Sequence, residues 1–230
     1  MAFSRLPVTF SLIAACVVVY VGLASTGASG TVLNCQPTGG GPIAGSLIPV
    51  CVAEGQPWRL VTSIFLHSGV THLLLNMLSL YFLGSFAEAS FGRGRFFAMY
   101  GLSGIAGGLA YLYWSVFTGA FGQPAVGASG AIFGLLGGVF GYAIRRGTFS
   151  ARDPVIGQLL LLTGINLFLG FSIPNVSNAA HLGGLAGGLV YGFLLAPTVF
   201  SQKRFAPFVP AVITLGIEVI LLGVWYVLVL

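Results

Sequence analysis

The chain has 230 residues, 57% apolar and only 6% charged, with a mean hydropathy of +1.00; so few polar groups could not cover the surface of a fold in water. Its formal charge of +5 does not mark a nucleic-acid binder, because Arg5, Arg93, Arg95, Arg145, Arg146, Arg152, Lys203 and Arg204 fall between apolar runs, where they report membrane topology. The three cysteines do not cluster as thiolate ligands of zinc: Cys16 lies in an apolar run, and Cys35 and Cys51 share one polar stretch.

Seven runs suit spanning helices, which need about 20 largely apolar residues, or slightly fewer when buried against neighbours. They extend from Pro7 to Thr26, Thr71 to Phe91, Arg95 to Trp114, Ala128 to Ile144, Pro154 to Phe171, Asn178 to Ala196 and Phe208 to Val229. The first resembles a secretory signal in following Arg5 and ending in small residues, but its apolar run exceeds a signal core and reads as a helix. Ala28 to Ser68 is the one long connection, and connections of this length are usually functional or carry short helices of their own. Cys35 and Cys51 lie there, equally compatible with a disulfide and with two free thiols. Basic clusters precede the first run and separate the second from the third, the fourth from the fifth and the sixth from the seventh, whereas the alternate connections hold only Arg59. This bias predicts an N-terminus in the cytoplasm and a C-terminus outside; the location expected is a bacterial plasma membrane, crossed several times. Many of the 35 glycines sit within the apolar runs, where small residues let membrane helices approach closely. The fold class is therefore all-α, a polytopic transmembrane helical bundle.

The histidines, His67, His72 and His181, each lie at the outer edge of a run, and ionisable groups at membrane depth default to functional hypotheses. Ser129, in the run Gly127-Ala128-Ser129-Gly130, opens the fourth helix, whose free amides and positive dipole end suit a developing oxyanion. The flanking Gly127 and Gly130 leave room for a substrate backbone. From Ser129 to Arg145 is 16 residues, about 24 Å of helix, and His181 stands the same 16 residues from Pro197. The serine and the imidazole are thus expected at one depth, below the outer surface. Gly130, Gly134 and Gly138 on the fourth helix and Gly184, Gly188 and Gly192 on the sixth repeat every four residues and favour close packing of the two. A serine hydroxyl needs an adjacent base, the role read for His181. His72 and Asn76, one turn apart on the second helix, can donate to an oxyanion together with the Ser129 amide. Phe133, one turn beyond Ser129, can stack on the His181 ring. His67 lies about 140° from His72 if the helix extends that far, so it is expected to point elsewhere and to be structural.

These residues, in this order, resemble the rhomboid family of intramembrane serine proteases: Trp58-Arg59, then His67, His72 and Asn76, then Gly127-Ala128-Ser129-Gly130, then Ala180-His181 followed by Gly184 and Gly188. The resemblance covers the first six helices. It implies a Ser129-His181 dyad without an aspartate, an oxyanion site of His72, Asn76 and the Ser129 amide, an architectural Trp58-Arg59 pair, and a Glu88 that hydrogen-bonds between helices. Members of the family often carry tyrosine where this chain has Phe133, so stacking is retained and a hydroxyl is lost. The implied organisation is a six-helix catalytic core over residues 1–200 and a basic linker with a seventh helix over 201–230. No motif accounts for Glu218 in that helix, for which protonation, a partner in the bundle and an interfacial position are all open.

The function expected is cleavage of membrane-protein substrates, single-span or multi-span, near the outer membrane face by a serine endopeptidase. No metal or other cofactor is called for, nor a nucleic-acid partner, and the oligomeric state is undetermined. Water must reach Ser129 from outside, which makes the loop near Phe171 to Asn178 and the neighbouring fifth helix candidates for a gate. A non-catalytic client-binding relative is the main alternative. A small-solute transporter ranks lower, and a three-histidine zinc site last, because the spacing lacks the His-Glu-x-x-His pattern.

Overall fold

A computed structural model describes residues 6–25, 35, 45–172, 176–198 and 206–230. The first basic cluster at Arg5 and the linker cations Lys203 and Arg204 lie outside these, as do residues 173–175 of the expected gate region. Among the described residues the secondary structure is helical, with one isolated bridge between Leu47 and Ala125. We number the helices α1 (Pro7–Ser25), α2 (Pro49–Ala53), α3 (Arg59–Thr62), α4 (Val70–Ser79), α5 (Ser85–Phe91), α6 (Arg93–Thr118), α7 (Ser129–Arg146), α8 (Pro154–Ser172), α9 (Asn178–Leu195) and α10 (Val209–Val229).

Among the described residues, six segments are long and apolar enough to cross a membrane: α1, Val70–Phe91, α6, α8, Asn178–Thr198 and α10. Val70–Phe91 joins α4 to α5 through a π-helical turn over Leu80–Gly84. The seventh expected run, α7, has 18 residues, ends in Arg145 and Arg146, and is the most enclosed, with most of its side chains buried. A helix sheathed by other helices needs neither the length nor the apolar surface of one facing lipid. Large apolar side chains on the periphery are exposed, among them Leu74 and Leu78 of α4, Phe168 of α8 and Ile220 and Val227 of α10. Such a surface fits hydrocarbon, and the chain is an integral multi-pass membrane protein.

The centre is built from backbone contact, because α7 and α9 carry glycine where they cross. A Cβ added at Gly184, Gly188 or Gly192 would meet the carbonyl of Gly130, Gly134 or Gly138 respectively, and one added at Gly137 or Gly141 would meet that of Leu185 or Leu189. The stripes read from the sequence thus interlock, with a second row beside them. α6 closes the third side, its Gly107 lying where a Cβ would be 2.7 Å from the Ala180 carbonyl oxygen. With little side-chain volume between them, the three helices have almost no freedom to slide.

The long connection carries its own short helices, α2 and α3, as its length suggested. Cys35 and Cys51 are joined by a disulfide. Arg59 is buried, its Nε donating to Gln56 Oε1 and its Nη1 to the Ser46 carbonyl, each at 2.7 Å. Trp58 stays half exposed. Glu88 accepts from Val8 N–H at 3.1 Å, Thr9 N–H at 2.8 Å and Thr9 Oγ1 at 2.7 Å. The carboxylate therefore caps the first turn of α1, where amides lack helical partners. α10 is tied to the core by Trp225 Nε1 donating to the Leu112 carbonyl at 3.0 Å and Tyr226 Oη donating to that of Val52 at 2.6 Å.

Candidate active site

Ser129 is the first residue of α7. Its turn is set from outside the helix, where Gly127 N–H donates to the Ser63 carbonyl at 3.0 Å and Ala125 exchanges two hydrogen bonds with Leu47. Gly127 adopts φ +131°, and a Cβ there would stand 2.9 Å from both Cε1 and Nε2 of His72. Only glycine satisfies that backbone and that neighbour together.

His181 lies in the first turn of α9, which Ser177 caps by accepting the Ala180 N–H at 3.2 Å. Its Nε2 is 2.9 Å from Ser129 Oγ. Its ring lies parallel to that of Phe133, with centroids 4.4 Å apart and planes at 10°. The imidazole is buried, and its Nδ1 has no hydrogen-bond partner among the described residues. Orientation therefore comes from stacking and from the glycine contact of α9 with α7, where many serine-histidine pairs use a third polar group.

His72 approaches Ser129 from α4, since the same hypothetical Cβ on Gly127 that meets its ring lies 3.6 Å from Ser129 Oγ. Ser68 holds the far side of the ring, its N–H at 3.5 Å and its Oγ at 3.0 Å from His72 Nδ1. Asn76 is buried one turn along and donates from Nδ2 to the His72 carbonyl at 2.9 Å. His67 does not point elsewhere: α4 begins only at Val70, so His67 is not on that helix, and its ring stands edge-on to His72 with centroids 5.2 Å apart. Burial pulls His67 down to about 4, leaving it a neutral spacer behind His72 at ordinary pH.

The structure thus gathers Ser129, His181, Phe133, Gly127 and His72 at one end of the bundle, with Gly130, Gly184 and Gly188 in the seam behind them. Three participants were not anticipated. The Ser63 carbonyl has no sequence signature. The Ser177 cap, a serine just before an apolar run, could have been read. Gly107 of α6, which approaches both Ala180 and Gly130, is hidden among many glycines.

Residues 54–198 match the Rhomboid domain family. The chain belongs to the rhomboid family. It is 40% identical over 138 residues to rhomboid protease GluP of Bacillus subtilis, covering 60% of this chain and 26% of that protein. To RHOMBOID-like protein 5 of Arabidopsis thaliana it is 40% identical over 153 residues, covering 66% of this chain and 48% of the relative. RHOMBOID-like protein 1 of the same plant is 40% identical over 162 residues, 68% of this chain and 40% of that protein. This rhomboid thus spans a quarter to about half the length of these relatives.

Proposed function

We propose that this rhomboid is an intramembrane serine endopeptidase that cuts transmembrane-helix substrates near the outer membrane face, with the chemistry in residues 1–200. The observation carrying this reading is the 2.9 Å approach of His181 Nε2 to Ser129 Oγ at the start of α7. In the reaction, Ser129 Oγ attacks the scissile carbonyl carbon while Nε2 takes its proton. The resulting oxyanion is held by Ser129 N–H, which has no carbonyl one turn behind it, and by His72 and Asn76. Donation from Ser68 N–H to His72 Nδ1 favours the tautomer with its proton on Nε2, the nitrogen beside Gly127. Asn76 has two amide protons, of which the His72 carbonyl takes one. His181 then gives its proton to the leaving nitrogen as the C–N bond breaks. A water deprotonated by His181 hydrolyses the acyl ester and restores Ser129.

A helical substrate hides its carbonyls in i to i+4 bonds, so the cut segment must unwind, which favours Gly, Pro or small residues near it. We place substrate and water entry beside α8, whose side chains are mostly exposed and whose outer half is tied to α9 through Asn178 Nδ2, which donates to the Leu167 carbonyl at 3.2 Å. In this reading the N-terminus is cytoplasmic and the C-terminus outside.

The test is proteoliposomes holding the protein and a single-span substrate with a helix breaker near its outer end. Cleavage by wild type, abolished in both Ser129→Ala and His181→Ala, is expected. Equal cleavage by Ser129→Ala would end the proposal, and absence of cleavage by folded wild type across several substrates would favour a client-binding role.

A further inference from the structure

Glu218 lies at the middle of α10 and is 4% exposed, yet neither carboxyl oxygen has a hydrogen-bond partner among the described residues. Thr214, one turn earlier on the same helix face, is 3% exposed and its Oγ1 is likewise unpartnered. Both line a cavity of about 400 Å³ between α6, α9 and α10, within the size range of small-molecule sites. Its other walls are largely apolar: small residues including Ala106, Ala110, Gly183 and Gly187, the larger Leu109 and Val190, and Tyr113, whose hydroxyl donates to the Leu221 carbonyl at 2.7 Å. Ile217 and Leu221, also in its lining, are exposed on the lipid-facing surface, so the cavity communicates with the bilayer.

Three unmatched oxygens in an apolar chamber define what would fill it. A buried polar group without a partner costs free energy, and a charged one at membrane depth costs more unless an opposite charge accompanies it. No cationic side chain lines the cavity among the described residues, so a Glu218 carboxylate there would take its counter-charge from a bound ligand. A phosphate headgroup is the wrong sign. An ammonium group presents three N–H donors for Glu218 Oε1, Glu218 Oε2 and Thr214 Oγ1, and brings the counter-charge. We infer that the α6–α9–α10 cavity binds a lipophilic amine entering from the bilayer, its ammonium on Glu218 and Thr214 and its hydrocarbon body among the small residues of α6 and α9. This inference does not depend on the proteolytic reading.

The test uses the full chain in nanodiscs with glutamate labelled by carbon-13 at the side-chain carboxyl, which gives three signals, from Glu54, Glu88 and Glu218. Glu218→Gln identifies its own signal. Decylamine is titrated against decanol, which has the same tail and a neutral head. The expected result is a saturable shift of the Glu218 signal with decylamine alone. Apparent affinity should fall about 10-fold or more in Glu218→Gln, read by retention of radiolabelled decylamine, and about 3-fold in Thr214→Val. Should Glu218→Gln fail to fold, Thr214→Val and the amine–alcohol comparison on wild type still decide. A shift that grows linearly without saturating, equal shifts with decanol, or no shift would overturn the inference.

Discussion

Gly188→Ala is the sharpest probe of how the seam between α7 and α9 positions the site. The added methyl would run into the Gly134 carbonyl and stand 2.7 Å from Gly134 Cα, where ordinary contact begins at 3.4 Å. The obstruction is backbone and cannot rotate away, so α9 must retreat from α7 by roughly 1 Å, a misplacement of the kind that costs about 10² in rate for a positioned catalytic pair. His181 lies seven residues, two turns, from Gly188 on the same face of α9, so its Nε2 moves with the seam away from the 2.9 Å approach to Ser129. Overpacking of this kind costs about 1–3 kcal/mol in stability, so the variant should still fold. The assay is cleavage rate in proteoliposomes with thermal unfolding of the same samples. Gly223→Ala on α10, where a Cβ meets nothing within 4 Å, serves as control and should leave both unchanged. A Gly188→Ala protein that cleaves at the wild-type rate would refute the claim that backbone contact in this seam sets the dyad.

Phe133→Ala removes the ring stacked on His181, an interaction of about 0.5–1.5 kcal/mol beyond burial, so cleavage should fall about 3- to 10-fold while Phe133→Tyr stays near wild type; equal rates for Ala and wild type would remove the stacking role. Glu88→Ala strips three hydrogen bonds from the start of α1 and should lower stability by roughly 2–4 kcal/mol in detergent, with Glu88→Gln intermediate; an unchanged melting curve would contradict the cap. His67 falls from the usual 6.5 to about 4, so between those values the unfolded chain binds a proton that the folded chain does not. Stability should drop as pH falls from 6.5 to 4, and His67→Phe should flatten that part of the melting profile; an identical profile in the variant would show that His67 is not its source.

Membrane class, helix order and the pairing of Ser129 with His181 were legible because each rests on a periodic or positional signal. Apolar runs mark spans, four-residue glycine spacing marks close packing, and the equal 16-residue separations of Ser129 from Arg145 and of His181 from Pro197 match depth. What stayed hidden depends on backbone outside the helices. The 140° estimate for His67 assumed a helix that begins only at Val70, and the loop before it returns the ring to His72. The Cys35–Cys51 disulfide and the Ser63 carbonyl beneath Gly127 both follow from the path of the long connection, which no spacing rule fixes. The run from Ala128 to Ile144 is a helix as its pattern predicts, observed as Ser129–Arg146, but its enclosure, not its hydropathy, is what holds it in the bundle.

The packing of the bundle is uneven, and the unevenness matches the demands of the proposed reaction. α6, α7 and α9 meet backbone to backbone, which fixes Ser129 and His181 without a third polar side chain on the imidazole among the described residues. α8 buries little beyond Ile156, Leu159, Thr163 and Gly170; Ile156 and Leu159 lie in the half remote from the serine and Thr163 at its midpoint. Its other half is held through Asn178, which donates to the Leu167 carbonyl and lies where a Cβ on Gly170 would be. Few buried apolar contacts mean a low cost of local displacement. A rigid seam beside a loosely held helix lets a bulky substrate reach the serine without disturbing the geometry of the pair that would act on it.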